Sequence, residues 1–295
     1  MKTAMHTDRL EWRFGAVRAV RLLCEAGFEA IDYSMYNSEL PVFMRGGRII
    51  ADELKRIAEG YGAKINQTHA PFSDFLLGEE NFEHNRTVYA SICEAIRISS
   101  YLGAKTVVVH PAEICPLLSS DERFFMNMEL YSHLACVARE AGVNIAIENL
   151  YSRHSQDKNR IIGGVCSGAA ELIRYADALS GEGVSVCFDV GHAELVGESS
   201  YSMIRALGER IKHIHIHDTD LLGDIHTLPY LAKVDFLPVC KALGKNGYDG
   251  DVTLEADGFL RNMPDALIPS ALLFARSVAS YLRDEIIKYY PKQST

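Results

Sequence analysis

Residues 183–220, GVSVCFDVGHAELVGESSYSMIRALGERIKHIHIHDTD, decide how this chain folds. The run Val184–Asp189 sets Val184, Val186 and Phe188 on one side and ends on an acid. The amphipathic stretch Ser199–Leu207 follows at helical spacing. A second run, Ile211–His217, alternates Ile214 and Ile216 with three histidines. Period two, then period 3.6, then period two again is one βα unit leading into the next parallel strand.

The same unit recurs in both directions. Strands are expected at Lys2–His6, Phe28–Tyr33, Ala63–His69, Lys105–His110, Val143–Asn149 and Asp251–Glu255, besides the two above. Helices are expected at Phe14–Ala26, Asp52–Tyr61, Asn85–Leu102, Glu122–Ala141, Gly168–Leu179, Phe236–Lys245 and Asp265–Asp284. Gly27, Gly62, Gly103, Gly142 and Gly247 stand where helix C-caps are wanted. Eight βα repeats predict an α/β fold, a single (β/α)8 TIM barrel, over one domain spanning 1–295. An open doubly wound sheet is the alternative, but no GxGxxG follows the first strand.

Composition narrows the function. No apolar run approaches the ~20 residues of a membrane span, and the opening MKTAMHTDRLEWRFG lacks a signal peptide's apolar centre. Seven scattered cysteines without a CxxC pair read as reduced thiols of a cytoplasmic protein. A net charge of −9 argues against a nucleic-acid partner and an anionic membrane. An oligomer of identical chains stays open.

Six consecutive strands close on a metal-competent residue: His69, His110, Glu148, Asp189, His215 and Glu255. A barrel brings the C-terminal ends of all its strands to one mouth, where active sites of this fold sit. Phase agrees in four strands, because Glu148, Asp189, His215 and Glu255 each lie opposite their strand's apolar face and therefore point inward. Three carboxylates and one imidazole suit Mn²⁺ first, with Mg²⁺, Co²⁺ or Zn²⁺ as alternatives. His192 and the pair Asp224/His226 sit on following loops, as candidates for further ligation or substrate contact. His217 and Asp218 are candidates to ligate or to orient His215. Arg153, Lys158 and Arg160 could grip a substrate phosphate or carboxylate, against the plainer reading of a solvated loop. His84, His133 and His154 have no evident partners and read as surface or structural.

The segments THAPF (68–72), VVVHP (107–111), IENL (147–150), FDVGHA (188–193), KHIHIHDTD (212–220), DIH (224–226) and GYDGDVTLE (247–255) resemble the xylose isomerase-like barrel superfamily over nearly the whole chain. That superfamily holds sugar-phosphate isomerases and epimerases, ketose 3-epimerases, inositol-catabolism enzymes and the endonuclease IV branch. The resemblance implies a single-metal site on Glu148, Asp189, His215 and Glu255, with Glu148 and Glu255 as acid/base pair. It implies a metal-dependent isomerase or epimerase of a carbohydrate, working through an enediolate. The endonuclease branch adds a three-zinc set whose equivalents are His69, His110, His192, Asp224 and His226. Against that branch, MKTAMHT lacks its Gly/Ser-rich first turn, and YSRHSQDKNR replaces its Gly-rich stretch after IENL. A lyase or dehydratase on the same scaffold is a third reading.

Overall fold

A computed structural model describes residues 1–113, 118–154, 156–157 and 159–291. Its strands are β1 (Thr3–His6), β2 (Ala30–Ser34), β3 (Lys64–His69), β4 (Thr106–Val109), β5 (Asn144–Glu148), β6 (Tyr151–Arg153), β7 (Ile161–Gly163), β8 (Val184–Asp189), β9 (Ile211–Ile216) and β10 (Val252–Leu254). Eight of them close into a parallel barrel in the order β1-β2-β3-β4-β5-β8-β9-β10, β10 pairing back onto β1. The expected (β/α)8 barrel is therefore the fold. β6 and β7 form an antiparallel hairpin above the mouth, within the stretch the sequence reads as a loop.

The helices are α1 (Asp8–Phe14), α2 (Ala16–Glu25), α3 (Gly47–Gly60), α4 (Phe82–Leu102), α5 (Ser120–Ala141), α6 (Ala169–Ala178), α7 (Val190–Leu195), α8 (Ser200–Leu207), α9 (Phe236–Lys245) and α10 (Ile268–Lys288). The helix expected at Phe14–Ala26 is α2, and α1 is an unexpected helix before it, the two separated by Gly15 at φ 78°, ψ 158°, outside helical geometry. Gly103 and Gly142 cap α4 and α5 in the left-handed region as expected. No described helix is long and apolar enough to cross a membrane.

Outward-facing strand residues such as Ile31, Val109, Ile147, Phe188, Ile214 and Leu254 pack with the helices into the main core. Each such side chain contributes about 1.5–3 kcal/mol on burial. The barrel interior is different. Its apolar part is a small separate cluster of Val108, Ala146 and Cys187, and buried polar residues including Asp32, Gln67, Thr253 and His215 sit among the inward positions. Two bulges set this phase. Asn66 of β3 is the extra residue opposite the Ile31–Asp32 step, and Lys212 of β9 is extra opposite Val186–Cys187. Ile65 and Ile211 thus face the helices, whereas Gln67, His69 and His215 face inward. Bulges beside a site commonly re-aim side chains in this way.

Candidate metal centre

Glu148 is the last residue of β5, Asp189 the last of β8, His215 lies near the end of β9, and Glu255 follows β10. Their ligand atoms lie within 4.8 Å of one another, and none of the four is more than 5% exposed. Two further groups adjoin them: His69, His110 and Glu148; and His192, His217, Asp224 and His226. Glu148 belongs to two groups. A cavity of about 740 Å³ opens above, lined among others by His6, Tyr36, Phe72, His110, His192 and Glu255.

Four imidazoles have one ring nitrogen tied off by an acceptor. His69 Nδ1 donates to the Ala70 carbonyl at 2.8 Å, His192 Nδ1 to that of Asn149 at 3.0 Å, and His226 Nδ1 to that of Glu255 at 2.8 Å. A carbonyl can only accept, so in each ring Nδ1 carries hydrogen and Nε2 is the atom that would ligate a cation once it gives up any proton of its own. His69 Nε2 lies 3.1 Å from His110 Nε2 and 3.2 Å from Glu148 Oε2. His226 Nε2 lies 2.9 Å from Asp224 Oδ2, and His192 Nε2 lies 3.9 Å from it. In the fourth ring His215 Nε2 faces Asp32 Oδ2 at 3.0 Å, while Nδ1 stands 3.0 Å from both Glu148 Oε1 and Glu255 Oε2. Asp189 Oδ2, Asp224 Oδ1 and Glu255 Oε2 are buried with no hydrogen-bond partner. Convergent lone pairs and orphaned carboxylate oxygens fit divalent cations, which would satisfy them together.

Electrostatics agree. Burial opposes ionisation of Glu148, but the neighbouring His215 and bonds from His110, His215 and His69 hold it well below the usual carboxylate range. Glu255 is likewise held low, against burial, chiefly by His215. Burial would strip the proton from His192, yet Asp189, Asp224 and Glu148 raise it to about 10. His226 is raised as well, against burial, by Asp224. His110 goes the other way, burial dominating. Protons on histidines thus balance the carboxylates wherever a cation does not.

The outer candidates divide. His217 Nε2 sits 3.1 Å from Asp189 Oδ1, its ring stacked on His226 at 4.0 Å. It packs so closely over Gly191 that a Cβ there would collide with the ring. Asp218 does not orient His215: its carboxylate accepts from the backbone N–H groups of Thr219, Ala232 and Val234 and organises that loop. Arg153 lines the cavity with its guanidinium 5.9 Å from the Tyr151 ring centre. Arg160 is exposed and is not among the residues that line the cavity. Lys158 lies outside the described residues. His84 and His133 are exposed, and His154 is half-buried on its loop.

Several site residues escape sequence reasoning. Tyr36 donates its hydroxyl to Glu255 Oε1. His6, only 2% exposed, lies 3.3 Å from Asp257 Oδ2 and 3.9 Å from Glu255 Oε1. Asn149 exchanges bonds with the Asp189 backbone, at 2.8 Å each way, and so ties β5 to β8. Asp32 and Gln67 lie beneath His215. His6 had a signal, since it closes β1 as the other candidates close their strands; Asp32 had only the alternation of β2, and Tyr36 lies beyond that strand.

Residues 20–278 match the profile of the xylose isomerase-like TIM barrel family. An uncharacterized protein of Methanocaldococcus jannaschii is 27% identical over 224 residues, 75% of this chain and 72% of that protein. An inosose dehydratase of Lacticaseibacillus casei is 28% identical over 137 residues, 41% of this chain and 42% of its own. A D-psicose 3-epimerase structure, 17% identical, superposes with a TM-score of 0.75 over 97% of this chain and 99% of that one, a likeness of fold.

Proposed function

This chain belongs to the xylose isomerase-like TIM barrel family, and from that premise we propose that it is a divalent-cation-dependent isomerase or epimerase of a sugar or sugar phosphate. The observation that carries the reading is the pair Glu148 and Glu255, both buried and both 3.0 Å from one imidazole nitrogen, with Glu255 lining the open cavity. A cation held by Glu148, Asp189, His215 and Glu255 would supply Lewis-acid stabilisation of the charge that grows on a substrate carbonyl oxygen. The family resemblance and the donor mixture favour Mn²⁺ there.

The chain's own groups do the rest. One glutamate takes the proton from the carbon beside the carbonyl, the C–H electron pair moving into the new carbon–carbon double bond. The other returns a proton, to the opposite face in an epimerisation or to the adjacent carbon in an isomerisation. Tyr36 holds Glu255 Oε1 at the cavity wall. The ring of Phe72 is stacked on that of Tyr36 at 5.1 Å and is 43% exposed, an apolar wall for the carbon face of a sugar.

A second reading draws on the two outer groups. Three cations sharing Glu148 would suit phosphoester hydrolysis better than proton transfer. One experiment separates the readings. The purified protein is assayed for cations per chain by elemental analysis, then incubated with ketoses and their phosphates in deuterated water and with abasic-site DNA. Deuterium should enter the carbon beside the carbonyl of at least one ketose, without DNA incision. Three cations per chain, with DNA incision and no exchange, would reverse the choice.

A further inference from the structure

Asp32 stands on β2, a strand that supplies no candidate ligand, and is 1% exposed. The bulges at Asn66 and Lys212 turn Gln67 and His215 toward it from either side. Its Oδ2 lies 2.6 Å from Gln67 Nε2 and 3.0 Å from His215 Nε2. Gln67 Nε2 is in turn 2.8 Å from His215 Nε2. One nitrogen of His215 therefore meets Asp32 and Gln67, and the other meets Glu148 and Glu255.

We propose that Asp32 is the positioning residue of His215: it takes the Nε2–H and so presents Nδ1 as the atom that ligates a divalent cation. This rests on the reading of Glu148, Asp189, His215 and Glu255 as a cation site. A carboxylate only accepts, so Asp32 stabilises the ring form with hydrogen on Nε2. Gln67 pulls the other way. Its amide hydrogens serve Asp32, but beside a bare Nε2 the same group would donate to it and favour hydrogen on Nδ1, where the cation belongs. Removal of Asp32 thus hands His215 to Gln67, and later loss of Gln67 relieves the error. A carboxylate with a merely structural role would not produce that sequence of effects.

Cd²⁺ is the probe. Its affinity is measured by chelator competition for the wild type, Asp32→Ala, Gln67→Ala and the double variant, with melting curves alongside. Asp32→Ala should weaken binding roughly 10–100-fold, and the double variant should recover part of that loss. Long-range ¹H–¹⁵N correlation on the Cd²⁺-loaded wild type should show hydrogen on His215 Nε2 and cadmium coupling at Nδ1. Affinity of Asp32→Ala within twofold of wild type, or hydrogen on Nδ1 in the loaded protein, overturns the proposal. If Asp32→Ala fails to fold, the wild-type spectrum alone decides. A wild type that takes up neither Cd²⁺ nor Mn²⁺ defeats the cation reading, and this proposal with it.

Discussion

Glu148 and Glu255 look interchangeable in the sequence, each an acid at a strand end, yet they occupy unlike corners of the mouth. Glu148 has both oxygens turned into the cluster: Oε1 meets His215, with His192 at 3.7 Å, and Oε2 meets His69 and His110. Glu255 has Oε2 on the His215 side, but Oε1 is held by the Tyr36 hydroxyl at the cavity wall with His6 close by. Ligand type is a property of the residue; the freedom to carry a proton belongs to whichever oxygen the neighbours leave over. On the proposed function both would carry a proton, but Glu148 would be the more firmly enclosed ligand, and Glu255 the one whose side chain reaches the open cavity.

The comparison is broken or sharpened first by substituting each glutamate. Glu255→Gln should lower deuterium exchange into a responsive ketose by 10²–10⁴-fold while cation content stays near wild type, because the amide oxygen still coordinates but cannot accept a proton. Glu148→Gln should lose both together. Equal cation loss in the two variants, read by elemental analysis, would erase the distinction.

Acid should weaken cation binding in the next largest step. His192 titrates near 10 and His226 is raised also, so below those values an incoming cation must displace protons. Affinity should rise with pH, at least tenfold between about pH 6 and 8 by this linkage. Calorimetry in buffers of different ionisation enthalpy should register proton release on binding; a flat pH profile contradicts the protonated cluster.

Tyr36→Phe tests the Glu255 corner alone. The Tyr36 hydroxyl favours ionised Glu255, so its loss should raise that carboxyl and move the acid limb of the rate profile to higher pH. Turnover should fall about tenfold, within the range of one hydrogen bond to a charged group, with cation affinity unchanged. An unmoved acid limb would free Tyr36 from this role.

A third buried carboxylate supplies the contrast with least effect on function. Glu11 accepts from Tyr33 at 2.6 Å, away from the histidines, and burial raises it to about 7. The folded form holds this proton more tightly than the unfolded one, whose value is near 4.5. Its stabilisation is therefore complete below about pH 4.5 and lost as pH climbs to about 7. Glu11→Gln should remove that dependence and raise stability at pH 8 by something on the order of 2–3 kcal/mol. Denaturant titrations at pH 5 and 8 compare the two proteins, and an unchanged pH dependence counts against the assignment.

The barrel was legible because its signal is periodic and local: eight strand patterns, helix-capping glycines, and acids or histidines opposite the apolar face. The bulges at Asn66 and Lys212 were not, since an extra residue alters phase without altering composition. Phase reading of β9 succeeded for His215 because it began from Ile214 and Ile216, beyond the bulge. Asp32 and Tyr36 went unread for a related reason. Their importance comes from His215 on β9 and Glu255 after β10, which they meet across the closed barrel and not on a neighbouring strand, and no spacing along the chain records that. Asp218 was misplaced next to His215 because adjacency in sequence stood in for adjacency in space.

The glycine beneath the His217 ring has a consequence for descent. A methyl at position 191 would occupy the space of that imidazole, so position 191 cannot gain a side chain while the ring stays. Lineages that keep a ring at 217 must keep glycine at 191, and those that enlarge 191 must first shrink 217. Between the two lies an intermediate that has already given up the imidazole beside Asp189. The two positions should therefore covary among relatives, and a change at both should mark a branch that has altered this side of the centre.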